Sequence, residues 1–189
     1  EPDPTFDISG QDAAQKTSIL ATLSFFKHAL IENIYFEGID KVTPQDINFG
    51  KQLELILKPL SVGKLSEDKI TLGSFPAFVK EKSLLASIEN ESNAVLMNAE
   101  NVGETMYAGP GAGAKPTSNS VLSDIIDIAT GKIFDYQKFV ESPLASSFEN
   151  FSCGHYLRFI VNDEPGVVAK ISTALAANNL SIDLSLIHI

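Results

Sequence analysis

No other six residues constrain this chain as tightly as Gly109-Pro110-Gly111-Ala112-Gly113-Ala114. Three glycines and a proline end a strand-like segment at 102–108, and helical periodicity resumes at about Pro116 and runs to Thr130. A tight glycine turn between strand and helix lets backbone N–H groups approach a ligand closely, and the following helix N-terminus favours negative charge. A P-loop would need glycine at Ala114 and Ser or Thr at Pro116, so that motif is excluded. A dinucleotide fingerprint, G-x-G-x-x-A, matches at Gly109, Gly111 and Ala114, yet no clear strand ending in an acid follows the helix. On its own the turn reads equally well as a ligand loop and as a bend that needs glycine for positive φ.

The elements around this turn suggest an α+β domain. Residues 1–10 read as a loop. Ala13, Ile19, Leu20, Leu23, Phe26 and Leu30 recur at helical spacing from Gln11 to about Ile31, with Ser9 as the N-cap. Thr43 caps a second helix with Pro44 at its first position, running to about Ile56. Strands are expected at 69–79 and 93–98, with 60–65 a weaker candidate. The expected architecture is a mixed sheet covered by helices on one face, occupying residues 1–130. Residues 131–153 read as a linker. The tail, 154–189, reads as strand 155–161, helix 166–177 and strand 181–189, a βαβ unit.

Composition removes several classes. Fourteen Lys+Arg against 24 Asp+Glu give a net charge of −10, which disfavours nucleic acid and anionic membrane surfaces as partners. The single cysteine, Cys153, excludes an internal disulfide and a multi-cysteine metal cluster, and points weakly to a reducing compartment. His28, His155 and His188 show no metal-ligand spacing, so no metal is expected. Phe25 and Phe26 are assigned to the core, and Asp124 and Asp127 to a solvated helix face. No run approaches a membrane span and no signal peptide appears, which suggests a cytoplasmic protein. The chain begins at Glu1 without methionine and stops at Ile189 just after an apolar run, so both ends are expected to be cut.

The chemically suggestive cluster lies near the start. Asp12 and Lys16 are four apart and share a helix face. An exposed ion pair of this kind is worth ~0.3–0.5 kcal/mol and needs no further role. Glu1, Asp3 and Asp7 lead into the same helix end, however, and would gather four carboxylates around one lysine. Such a group suits a small substrate bearing an ammonium and a hydroxyl: carboxylates hold the cation, and the amine exchanges a proton with the hydroxyl oxygen.

These constellations, in this order, resemble homoserine dehydrogenase. The matching stretches are Glu1-Pro-Asp-Pro, Asp7-Ile-Ser-Gly10-Gln-Asp12-Ala-Ala-Gln-Lys16, Phe36-Glu-Gly-Ile39, Asn93-Ala-Val95, and Gly109-Pro-Gly-Ala-Gly113 with Pro116-Thr117 and Asp124-Ile-Ile-Asp127. The resemblance covers about residues 1–130, with Asn119 and Ser120 standing where the family usually has small residues. It implies an enzyme interconverting L-homoserine and L-aspartate 4-semialdehyde with NADP or NAD, on the route to threonine, methionine and isoleucine. It also implies Lys16 as the catalytic lysine. Glu1 and Asp12 become substrate-binding acids, Asp7 a supporting one, and Gly109, Gly111 and above all Gly113 the cofactor contact. A homodimer is the expected assembly. The family's nucleotide-binding Rossmann domain would lie before Glu1, so the isolated chain is expected to be inactive.

The tail resembles the first half of an ACT domain, a ferredoxin-like regulatory module. Its mark is Asp163-Glu-Pro165-Gly166-Val167 after Tyr156-Leu-Arg-Phe-Ile-Val161. The resemblance implies an amino-acid effector, threonine being the candidate, at a complete ACT domain. Two rival readings remain at this level: a non-catalytic amino-acid-binding or interaction module, and, less favoured, a bifunctional aspartokinase–homoserine dehydrogenase.

Overall fold

The computed structural model describes residues 3–67, 69–132, 148 and 151–186. Helix α1 (Thr5–Ile8) occupies the segment expected to be a loop. Asp3 explains it: its Oδ1 accepts from the Thr5 N–H at 3.0 Å and the Thr5 hydroxyl at 2.5 Å, satisfying donors at the helix start. Helix α2 (Gln11–Phe25) follows, and its N-cap is Gly10 at φ 82° rather than Ser9. The Ser9 hydroxyl donates to the Phe6 carbonyl and accepts from the Gln11 N–H at 3.4 Å.

Helix α2 stops at Phe25, several residues short of the expected Ile31, where Phe26 turns left-handed at φ 53°. Ala29 folds back onto the helix: its N–H donates to Thr22 Oγ1 at 3.0 Å and its carbonyl accepts from Ser18 Oγ at 2.5 Å. Hydroxyls that offer the backbone such partners compete with helix continuation. The large apolar residues that define the helical period are not its buried face. Ala14, Thr17 and Ala21 are buried, whereas Ile19, Leu20 and Leu23 are exposed. Phe25 packs on the core as expected, but Phe26, also expected there, is exposed.

Strand β1 (Tyr35–Phe36) leads to helix α3 (Pro44–Gln52). Here the expected cap is present. Thr43 Oγ1 accepts from the Asp46 N–H, Asp46 Oδ2 accepts from the Thr43 N–H at 2.8 Å, and Pro44 sits at the first position. The helix ends before Ile56 because the chain enters β2 (Leu55–Ser66), which is twice the length of the weaker sequence candidate. Strand β3 (Lys69–Lys80) pairs antiparallel with β2 along its length and parallel with β1 at Tyr35–Gly73 and Phe36–Ser74. The order β1-β3-β2 is a mixed sheet, as expected. Midway along the hairpin Pro59 faces Pro76.

Alternation along β3 separates two faces. Ile70, Leu72 and Ser74 are buried on the side that receives α2, with Ala14, Ala21, Ala29 and Ile34 completing a small core and Phe25 packed on it. Phe78 is in register with that face and lies against Gly50 of α3. Gly73 and Phe75 belong to the other face, where the Phe148 ring covers Gly73.

The remaining strands do not join this sheet. Strands β4 (Ser92–Ala99) and β5 (Gly103–Pro110) form a separate two-stranded ribbon, and helix α4 (Ala114–Ala129) follows the glycine turn. Its face bearing Val121, Leu122 and Ile125 is exposed, and Asp127 pairs with Lys132 at 2.8 Å.

In the tail, helix α5 (Val167–Ala177) is present as expected, with Gly166 as its left-handed N-cap at φ 89°. The flanking segments 155–161 and 181–186 form no strand ladder among the described residues, and 187–189, including His188, lie outside them. An extended segment becomes a strand only beside a partner edge. Tyr156 and Arg158 dock on α3 instead, while Leu157, Phe159 and Ile160 are exposed.

Candidate active site

Helix α2 places Lys16 one turn above Asp12, so that Lys16 Nζ lies 2.6 Å from Asp12 Oδ2. The lysine side chain is 65 % exposed and the carboxylate 30 %, so the pair borders solvent and is open to a ligand. The other acids near the chain start each have their own surroundings. Asp3 is engaged by the Thr5 N–H and hydroxyl at the start of α1, as described above. Asp7 lies on α1, exposed, and its carboxylate makes no ion pair with another described residue. Glu1 lies outside the described residues. Among the described residues, Asp12 is the carboxylate in contact with Lys16.

What holds the helix start in place is a glycine seam. A Cβ on Gly10 would lie 2.9 Å from the Glu37 carbonyl oxygen, and one on Gly38 would collide with the Ile8 carbonyl and the Ser9 backbone. The Ile39 N–H donates to the Ile8 carbonyl at 2.9 Å, and the Glu37 N–H to the Ser74 carbonyl at 2.8 Å. Two backbones thus meet at van der Waals distance between α1–α2 and the segment after β1, a contact only glycine allows. The Tyr35 hydroxyl donates to Glu37 Oε2 at 3.1 Å beside this seam.

The glycine turn is a second, separate centre. Gly113 is the N-cap of α4 at φ 114°, which demands glycine. Gly111 presses on the Asn93 side chain, and its N–H donates to the Glu91 carbonyl at 2.8 Å. Gly109 has open space around it. The turn opens onto a wide groove of about 540 Å³ lined by Gly113, Ala114, Thr117, Val121 and Ile125 among others. Pro116 has no N–H, and the Thr117 N–H and hydroxyl both bond the Gly113 carbonyl. The N–H groups of Ala114 and Lys115 are the ones this helix end can offer a ligand. That fits contact with one edge of a nucleotide cofactor. Among the described residues no hydrogen bond or ion pair joins this turn to Asp12 or Lys16, and α2 packs mainly on α1, the first sheet and the turn at Ile31–Asn33. Among the described residues there is also no cluster of His, Cys, Asp and Glu able to hold a metal, and Cys153 is exposed.

Because Gly109 needs neither positive φ nor space, Gly109→Ala isolates ligand contact from folding. The variant is expected to leave the denaturation midpoint unchanged, so that any loss it causes in binding of a nucleotide reports contact rather than folding.

One cluster was not singled out by the sequence reading. Asp46, 7 % exposed, accepts from the Tyr156 hydroxyl at 2.8 Å and pairs with Arg158 at 3.1 Å, in addition to its bonds with Thr43. Burial pushes its carboxyl up, but the Thr43 side-chain and backbone hydrogen bonds, Tyr156 and the Arg158 cation together hold it below the usual carboxylate range. Tyr156 is pushed up to about 12 by burial first, then by the hydrogen bond to Asp46 and its charge. The available signal was the i, i+2 pair Tyr156 and Arg158 in an extended segment, opposite a capping-box acid.

Residues 1–126 match the family profile described as homoserine dehydrogenase, and the chain belongs to that family. It is 39% identical over 186 residues to the homoserine dehydrogenase of Helicobacter pylori, covering 97% of this chain and 44% of that protein. The crystal structure of a homoserine dehydrogenase from Thiobacillus denitrificans superimposes with a TM-score of 0.78 at 32% identity, covering 98% of this chain and 45% of that one. A hyperthermophilic archaeal homoserine dehydrogenase in complex with NADPH superimposes with a TM-score of 0.53 at 29% identity, over 72% of this chain and 37% of that one. The chain therefore spans less than half the length of these relatives. No helix among the described residues is long and apolar enough to cross a membrane.

Proposed function

We propose that this chain forms the substrate-binding and proton-transferring part of a homoserine dehydrogenase, which interconverts L-homoserine and L-aspartate 4-semialdehyde. The observation that carries this reading is the 2.6 Å Lys16–Asp12 pair on the open side of α2, in a chain of this family. NAD or NADP, when bound, would supply the acceptor for the hydride of the alcohol carbon. The Lys16 amine takes the hydroxyl proton as the carbonyl forms, and in the reverse direction returns it to the carbonyl oxygen. Asp12 and Glu1 hold the homoserine ammonium, with Asp7 in support, and Asp12 also fixes the direction of the lysine side chain. Gly109, Gly111 and Gly113 would let the cofactor approach the turn closely, with the Ala114 and Lys115 N–H groups as its donors. The family resemblance of the whole chain supports a cytoplasmic homodimer built on the mixed sheet. It also supports an ACT module around α5 that, when complete, takes an amino-acid effector such as threonine.

The test is homoserine-dependent formation of NADH or NADPH. The complete protein carrying this sequence is expected to turn over, and the 189-residue chain alone to give none. Turnover by the isolated chain overturns the assignment of most of the cofactor site to another domain. Homoserine binding without turnover in the complete protein supports the non-catalytic amino-acid-binding reading instead.

A further inference from the structure

Among the described residues the tail meets the body of the protein around Phe148 and around Tyr156, and in both places it touches strand β3 and one end of the segment from Tyr35 to Asp46. At one end, Phe148 stacks on Tyr35 with ring centroids 4.7 Å apart and planes 7° apart, and Phe151 stacks on Phe148 at 5.2 Å. Phe75 packs tilted against the same Phe148 ring at 5.2 Å, and Gly73 leaves room for it. At the other end, Tyr156 and Arg158 reach Asp46 and Thr43, with the Arg158 Nη1 to Thr43 Oγ1 distance at 2.7 Å. Phe78 meets Tyr156 edge-on at 5.0 Å.

Tyr35 and Asp46 bound the segment that contains Glu37, Gly38 and Ile39, the outer half of the glycine seam. Tyr35 is three residues from Gly38, and across the seam Gly10 is two residues from Asp12. The two anchors differ in chemistry, one an aromatic stack on the open sheet face and the other a buried carboxylate on the helix face. A shift of the tail therefore cannot leave the middle of the segment untouched, because close-packed backbones transmit displacement rather than absorb it.

We propose that the segment Tyr35–Asp46 is a bridge gripped by the tail at both ends, through which Phe148, Tyr156 and Arg158 act as positioning residues for the start of α2 and its Asp12–Lys16 pair. The proposal deepens the reading above, resting on that pair as the proton-transfer site. It gives the helix-bearing tail a physical route to the chemistry.

Amide hydrogen exchange on the 189-residue chain tests the mechanical part without any turnover. Phe148→Ala and the double variant Tyr156→Phe/Arg158→Gln are each expected to speed exchange of the Ile39 and Ala14 amides about tenfold. Those amides bond the Ile8 and Gly10 carbonyls respectively. The β2–β3 ladder amides keep their rates, and Phe148→Tyr, which preserves the stack, restores the seam. Unchanged exchange at Ile39 and Ala14, or an equal rise along β2–β3, overturns the bridge. In the complete enzyme the same variants are expected to lower kcat about tenfold with KM for homoserine nearly unchanged. Faster exchange with unaltered kcat overturns the positioning role. If Lys16 proves dispensable for turnover, the catalytic reading falls while the exchange result still decides the bridge.

Discussion

Lys16→Ala in the complete enzyme is expected to lower kcat by about 10²–10⁴-fold, the range that a positioned proton-transfer group contributes. The KM for homoserine should change much less. Lys16 is the amine facing Asp12, and truncating it leaves that carboxylate solvent-bordering and still able to hold the substrate ammonium. A group needed only as charge moves from substrate to product is lost from kcat, whereas a binding group is lost from KM. Asp12→Asn gives the contrasting pattern, raising KM for homoserine first. The stability cost of either change is small, because an exposed i, i+4 pair contributes ~0.3–0.5 kcal/mol. Near-normal kcat in Lys16→Ala would remove the amine from the reaction.

Gly38→Ala is expected to be the most damaging single methyl added to the chain. Its Cβ would meet the Ile8 carbonyl and the Ser9 backbone, neither of which is the far end of a flexible side chain. Overpacking against fixed atoms costs about 1–3 kcal/mol. The clash also pushes apart the two segments joined by the Ile39–Ile8 hydrogen bond, which displaces Gly10 and the first turn of α2. Denaturant melts should show a lowered midpoint with unchanged slope, and the complete enzyme should lose kcat well beyond any loss of folded protein. Wild-type stability in Gly38→Ala would mean the seam is looser than its contacts indicate.

Much of this architecture was legible in sequence because local chemistry decides it. Thr43-Pro44 with Asp46 starts α3 in any context, and β3 is marked by Ile70, Thr71, Phe75, Phe78 and Val79, residues of clear β propensity. Helix α2 shows where such reading ends. Its period is visible in Ile19, Leu20 and Leu23, yet its buried stripe is Ala14, Thr17 and Ala21. Only the sheet it packs against determines that small residues are the ones in contact. Its end at Phe25 depends on Ala29 returning to Ser18 and Thr22, a tertiary event without a local signature.

The site divides in the same way. Lys16 and Asp12 are found by spacing alone, since i and i+4 share a face in any helix. Asp3 could not be separated from Asp7 and Glu1 by composition, because its role depends on a one-turn helix too short to show periodicity. Four of the quoted family stretches turn out to be two contacts: Gly10 with Glu37 and Gly38, and Gly111 with Asn93. Sequence displays such stretches as separate motifs, and only folding makes each pair a single requirement. The Asp46–Tyr156–Arg158 group spans 110 residues between its first two members and carries no spacing rule at all.

The facing prolines of the long hairpin have a further consequence. Pro59 and Pro76 sit opposite each other without interrupting the pairing of β2 with β3. That is accommodated without loss where their nitrogens point away from one another, toward the outer margins of the ribbon. Strand β1 borders β3 only as far as Ser74, so Pro76 comes just beyond that cover. A foreign polypeptide attempting to template onto either bare margin meets a position that offers no amide donor midway along it. The hairpin thereby carries its own guard against runaway self-assembly, and replacing both prolines is expected to raise its tendency to pair edge to edge.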